Sequence, residues 1–237
     1  MKKEVIVLNC GSSSVKFAII DAETGEAGLT GIAEALGNSD ASLSYKLNGK
    51  KEKCALPAQA GHTEALNAIS EIIASTGVKP IAIGHRVVHG GEKFKGAALV
   101  DDSVLEAIED YASMAPLHNM ANLKGIVTAQ AAYPDLPHVV VFDTSFFQTL
   151  PQKAFIYALP MALYREHGIR RYGFHGTSHK FILDSMAKIL EKPVSDTSII
   201  SAHLGNGCSV SAIEKGTAVD TSLGFIPLEG LRRVDLS

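Results

Sequence analysis

A mixed-sheet α/β fold is predicted by three features of this 237-residue sequence. Apolar runs of strand length alternate with segments of helical periodicity. Short strand pairs joined by small-residue turns crowd the amino-terminal part. One strand–turn–strand pattern returns later in the chain.

Residues 5–8 (VIVL) are apolar and mostly β-branched, which predicts a buried strand. Gly11-Ser12-Ser13-Ser14 breaks it, 15–20 (VKFAII) forms its partner, and Asp21 to Gly25 makes a turn. Residues 40–56 predict a second hairpin with Asn48-Gly49 at its tip. Residues 62–77 place Leu66, Ile69, Ile72 and Ile73 at helical spacing, closed by Gly77. A strand is predicted over 80–88 and a helix over 101–112, capped by Asp102 or Ser103. A second helix follows over 119–132, then a strand over 138–142. That last strand, HVVVF, suits a sheet covered on both faces. Residues 150–168 read as a connection with a short helix at 160–167. Residues 172–179 form a loop, and Thr177 or Ser178 caps a helix over 179–191. Strands 197–202 and 208–213 enclose the turn His203-Leu204-Gly205-Asn206-Gly207. Shifted by 194 residues, Ile6 meets Ile200, Gly11 meets Gly205 and Ile19 meets Ile213. The echo suggests a duplicated domain whose two hairpins face each other across a cleft.

Composition bounds the function. The chain is 46% hydrophobic and 20% charged, which excludes collagen, a disulfide-dense miniprotein and wholesale disorder. Its formal charge of −3 excludes the broad basic surface that nucleic acid requires. Cys10, Cys54 and Cys208 are odd in number and form no CxxC pair, so free thiols in a reducing compartment are expected. No secretory h-region and no membrane-length apolar run appear, so a cytoplasmic protein without membrane contact is expected.

The candidate chemistry lies where the strands end. Asn9 through Ser14, followed by Lys16, offers small residues, hydroxyls and a cation for phosphate oxygens. The alternative is a plain hairpin turn. His203 to Gly207 has similar composition. Arg86 interrupts an apolar strand, and its planar fork suits a carboxylate or phosphate as well as a structural ion pair. His85 and His89 have core roles or are metal ligands, the former favoured because no third ligand is nearby. Asp143 ends an apolar strand, a usual place for ligand-handling groups. His118 stands in a loop before a helix. His175 reads as a cleft-facing loop residue, and His179 as a first-turn helix residue.

The strings NCGSSSVKF, GHRVVHGGEKF, APLHN, VFDTSF, RRYGFHGTSHK, AHLGNGCSVSAI and DTSLGFIPLEGL, in this order and spacing, closely resemble the acetate kinase family. The resemblance implies an actin-like (ribonuclease H-like) ATPase fold with two similar domains, here 1–147 and the beginning of a second over 148–237. It implies reversible phosphoryl transfer from ATP to acetate, giving acetyl phosphate and ADP, with Mg²⁺. By resemblance, Arg86 holds the acetate carboxylate or the phosphate in transfer, and Asn9 belongs to the magnesium site. Ser12, Ser14 and Lys16 form the phosphate turn, with His203, Leu204, Gly205, Asn206 and Gly207 as the second one. Asp143 resembles the essential acid, His175 the transition-state stabiliser, and His118 an active-site histidine. Val88, Leu117, Phe174 and Pro227 correspond to the pocket for the substrate methyl group. Acetate is ionised at neutral pH, so its attack needs no strong base. Asp143 therefore reads better as an organiser of metal or water than as a base.

The resemblance fades after Leu231. In the family register an arginine falls at position 236, which here is Leu236, and Arg232 and Arg233 stand too early to replace it. Phe147, Met120 and Ile226 replace the usual His, Pro and Thr. A truncated, weakly active or inactive chain is expected, with its open edges covered by a homodimer or other self-association. The competing readings are a non-catalytic module retaining anion binding, a propionate kinase-like enzyme, and a metal-dependent hydrolase built on the histidine pairs.

Overall fold

The computed structural model describes residues 2–205, 207–226 and 229. It divides into two compact units: Met1–Val87 with Ala97–Val141, and Val88–Gly96 with Phe142–Ser237.

The first unit carries β1 (Glu4–Cys10), β2 (Val15–Asp21), β3 (Ala27–Glu34), β4 (Ser42–Leu47), β5 (Lys50–Ala55), β6 (Ala82–Val87), β7 (Ala98–Leu99) and β8 (His138–Phe142). They form one sheet in the order β5-β4-β3-β2-β1-β6-β8-β7. β1 runs antiparallel to β2 and parallel to β6, so the sheet is mixed, as the alternation of elements predicts. Asn48 (φ 49°) and Gly49 (φ 84°) both take the left-handed conformation that a two-residue hairpin requires. β3, AGLTGIAE, escapes a propensity reading because glycine and alanine disfavour strands. It forms as an inner strand paired with β2 and β4, and the Phe17 ring of β2 covers Gly31, where a Cβ would collide with it.

α1 (His62–Ser75) buries Ala65, Leu66, Ile69 and Ile73 on one stripe. Each of its buried Leu and Ile side chains contributes about 1.5–3 kcal/mol. The helix stops at Thr76, and Gly77 (φ 73°) follows the cap. α2 (Asp102–Asp110) is capped by Asp101, one residue earlier than predicted: its carboxylate accepts from Val104 N at 2.9 Å. α3 (Pro116–Ala132) begins three residues before the predicted start because Pro116 suits the first helical position. His118 therefore lies in the first turn of a helix, not in a loop. α3 approaches β1 so closely that a Cβ at Gly125 would strike Cys10 Sγ.

The second unit carries a 3₁₀ turn (Asp143–Phe147), α4 (Gln152–Phe155), α5 (Met161–His167), α6 (Gly176–Ile189) and the antiparallel sheet β11-β10-β9. Its strands are β9 (Ile199–Leu204), β10 (Cys208–Glu214) and β11 (Thr217–Thr221). α6 starts at Gly176, ahead of the predicted cap at Thr177 or Ser178, and His175 is its N-cap. Glycine, threonine and serine are weak helix formers, but a Cβ at 176 would collide with the Asp143 carbonyl oxygen, so the packing demands Gly there.

The sequence echo needs one correction. Cys10 pairs with Val15 across a four-residue turn, whereas Leu204 pairs with Cys208 across three. That one-residue difference turns β9 over relative to β1. Ile6 is 1% exposed, and its gapless counterpart Ile200 is 78% exposed.

Candidate functional site

In the first unit, the carboxyl ends of parallel neighbours β1 and β6 bring Asn9 beside Arg86. Leu8 is registered with His85, and Arg86 Nη1 donates to Asn9 Oδ1 at 3.1 Å. The Asn9 amide thus helps to orient the guanidinium. The serine turn begins two residues after Asn9, at Gly11. Gly11 N donates to Ser14 O at 2.7 Å, and Leu36 N to Ser13 O at 3.0 Å. Asn122 Nδ2 donates to Cys10 O at 2.6 Å, and His62 Nε2 lies 2.7 Å from Gly11 O. These two braces, from α3 and α1, are invisible to a motif reading because they lie far off in sequence. Ser12 and Lys16 are exposed and Ser14 is half-buried. Leu117 and His118 are exposed on the first turn of α3.

Behind Arg86, His85 Nε2 meets His138 Nδ1 at 2.9 Å, and the rings stack with centroids 5.2 Å apart. His138 Nε2 lies 3.2 Å from Tyr133 O, which can only accept, so this nitrogen carries the proton. Burial lowers the His85 pKa to about 3, with His138 adding to the shift. His85 is thus a neutral core histidine. Burial likewise pushes the Cys10 thiol up to about 12.

In the second unit, Asp143 is fully buried at the end of β8 and accepts from Thr177 Oγ1 in α6. His175 adopts φ 59°, rare for a residue with a side chain, two residues after Gly173 at φ 75°. Its ring stacks on His203 with centroids 4.1 Å apart. His175 Nδ1 lies 2.9 Å from Ser209 Oγ, and His203 Nδ1 lies 3.0 Å from Ser178 Oγ. His179 sits at 0% exposure, contacting Ser209 Oγ and Ser201 Oγ. Its pKa falls to about 4, first through burial, then through His203, with Asp143 opposing. A Cβ at Gly207 would come within 2.9 Å of His175 Nε2, so a side chain there would press on that ring. His203 and Leu204 close β9 rather than belonging to the turn, which here is Gly205 to Gly207, with Gly205 N donating to Gly207 O at 3.1 Å.

The segment before His175 is firmly held. Arg170, 3% exposed, pairs with Glu92 and places its guanidinium carbon 3.8 Å from the Phe155 ring centroid. Val88 and Phe174 share one small apolar cluster with Leu223. His89 is buried between Tyr172 and Phe174, edge to face, in a packing role. The predicted site residues Asn206 and Pro227, and positions 232, 233 and 236, lie outside the described residues.

The sequence reading missed Ser209, Ser201, Thr177, Leu223 and the bracing pair Asn122 and His62. Only Ser209 and Ser211 left a trace, as hydroxyls alternating on the inward face of a strand. For a hard divalent cation, Asn9 in the first unit offers an amide oxygen, and Asp143 in the second, taken by itself, a carboxylate. Among the described residues no group of three His, Cys, Asp or Glu forms a protein cage. Mg²⁺ commonly keeps waters and phosphate oxygens beside a single protein oxygen, so the chemistry of either donor by itself suits it.

A profile of the acetokinase family matches residues 4–233. The chain belongs to the acetokinase family. It is 54% identical over 233 residues to the acetate kinase of Shewanella sp. strain W3-18-1, and 55% identical over 231 residues to that of Shewanella baltica strain OS155. These matches cover 97% and 96% of this chain but 58% of each relative, so the chain spans little more than half their length. Among solved structures, a propionate kinase from Francisella tularensis matches with TM-score 0.92 and 42% identity, covering 97% of this chain and 59% of that one. Porphyromonas gingivalis acetate kinase matches with TM-score 0.90 and 40% identity, covering 99% and 62%. The α/β fold of this acetokinase family chain is therefore that of these kinases. Among the described residues no helix is long and apolar enough to cross a membrane.

Proposed function

We propose that this chain carries the phosphate- and carboxylate-handling chemistry of a kinase that moves the terminal phosphoryl group of ATP onto acetate or a similarly short acid. The observation that supports this most is the Arg86–Asn9 contact, a cation oriented by an amide beside a hydroxyl-rich turn at the carboxyl ends of two parallel strands.

In this reading a carboxylate oxygen of acetate forms a bond to the γ-phosphorus as the bond to the β–γ bridging oxygen breaks, giving acetyl phosphate and ADP. The acceptor is already an anion, so the barrier lies in bringing it to a polyanion, and catalysis is mostly positioning and charge neutralisation. Arg86 draws in the carboxylate or the phosphoryl oxygens. His175 donates to a phosphoryl oxygen. Ser12, Ser14 and Lys16, with the glycine turn after His203, receive phosphates. By family resemblance, Asn9 would belong to the Mg²⁺ site and Asp143 would serve as an organiser of metal or water, and the ion would supply charge neutralisation on the phosphates. His118 is assigned to the active site by family resemblance. Val88 and Phe174, packed with Leu223, meet the methyl group, and Leu117 and Pro227 are assigned to the same role by family resemblance alone. Such a wall discriminates a longer acid by only about 1–3 kcal/mol per methylene, so acetate over propionate is a preference.

Trapping acetyl phosphate as the hydroxamate, with ATP, Mg²⁺ and acetate, tests the reading. Acetate-dependent product that Arg86→Ala abolishes carries it. No product, together with no perturbation of His175 resonances by acetate or inorganic phosphate, overturns it. Perturbation without turnover supports a non-catalytic anion-binding module instead.

A further inference from the structure

Four side chains of the second unit form an unbroken hydrogen-bonded row. Ser201 Oγ lies 2.9 Å from His179 Nδ1, His179 Nε2 lies 2.8 Å from Ser209 Oγ, and Ser209 Oγ lies 2.9 Å from His175 Nδ1. Ser201, His179 and Ser209 are at most 2% exposed, so water does not arbitrate among them. Each hydroxyl has one proton to give. Among the described residues Ser201 Oγ bonds only to His179, so its proton goes to His179 Nδ1; otherwise a buried donor is stranded. The burial that lowers the His179 pKa keeps this ring neutral, and its one proton therefore sits on Nε2, donating to Ser209 Oγ. Ser209 Oγ, having accepted there, has only His175 Nδ1 left to donate to.

We propose that Ser201, His179 and Ser209 are positioning residues that hold His175 as a neutral imidazole protonated on Nε2. The role of that proton in phosphoryl transfer rests on the function proposed above; the proton's location does not. A neutral ring suits the close stack on His203, where two imidazolium ions would repel each other. It also presents a donor whose orientation is fixed before any charge develops, so no reorganisation is needed during reaction. The direction of the row makes the effect of Ser201, three hydrogen bonds removed, reach His175.

Long-range ¹H–¹⁵N spectra of the ¹⁵N-histidine-labelled chain at neutral pH read the tautomers directly. His175 and His179 should each show one protonated nitrogen, Nε2. Ser209→Ala should give His175 a mixture of tautomers, Ser209→Thr should restore the single form, and Ser201→Ala should mix His179. A protonated Nδ1 on His175 in the unsubstituted chain, or a Ser209→Ala variant with unchanged populations, overturns the proposal. If Ser209→Ala does not fold, the unsubstituted chain and Ser201→Ala still decide. Hydroxamate assays on the same samples separate the two claims: the predicted tautomers without any phosphoryl transfer or anion response would defeat the function and leave the positioning row standing.

Discussion

Hairpin β1–β2 and hairpin β9–β10 follow one plan and bury opposite chemistry. On the second strand of the first, Val15, Phe17 and Ile19 face inward; on the second strand of the other, Ser209, Ser211 and Ile213 do. The first inward face belongs to a continuous apolar core under α1 and α3. The second is a polar shelf whose hydroxyls hold histidines from the N-terminal region of α6. A buried serine is stable only where a partner meets it, so the second hairpin exchanges generic hydrophobic stabilisation for directed hydrogen bonds. One hairpin builds a platform and the other aims side chains.

Substitutions that exchange the two chemistries should break the comparison most strongly in the apolar hairpin. Phe17→Ser removes a buried ring, worth about 3–5 kcal/mol, and strands a hydroxyl; chemical denaturation should show a collapsed midpoint or no folded state. Ile6→Ala follows at about 2–5 kcal/mol in the same assay. Ser209→Val leaves His179 Nε2 without its acceptor and should cost about 1–3 kcal/mol, with the larger loss in the tautomer spectra.

Acid acts on both regions in the same sense. His85, at about 3, and His179, at about 4, have folded pKa values below that of an unfolded histidine, near 6.5. The unfolded chain then binds more protons in that window, so stability is full above about pH 6.5 and declines as pH falls through the folded values. Midpoints measured from pH 7 to 4 should fall, and His179→Leu or His85→Leu should flatten the slope; a flat profile in the unsubstituted chain would refute both assignments. The smallest effect belongs to Ile200→Ala, within about 0.5 kcal/mol, because that side chain is exposed. A loss comparable to that of Ile6→Ala would show Ile200 to be covered in solution.

What the sequence disclosed follows from what is local. Apolar alternation located β1, β2 and β8, and Asn48-Gly49 located a hairpin, because both signals are written within a few residues. β3 was hidden because its pairing with β2 and β4 is not written in its own glycine- and alanine-rich residues. The flip of β9 was hidden because one residue of turn length changes which side chains face inward without changing composition. Arg86, Asp143 and His175 stood out as polar groups at strand or helix ends. Ser209, Asn122 and His62 did not, since their partners are 34, 112 and 51 residues away.

Cys10, sealed between β1 and α3 with its pKa near 12, will ignore alkylating reagents at neutral pH. Cys54 is exposed in the first unit and Cys208 is half-buried in the second. Without any engineering, maleimide dyes should therefore attach at only these two points. The native chain thus comes with handles for a fluorescence ruler, one on each unit, able to register any change in their separation when ATP or acetate is added.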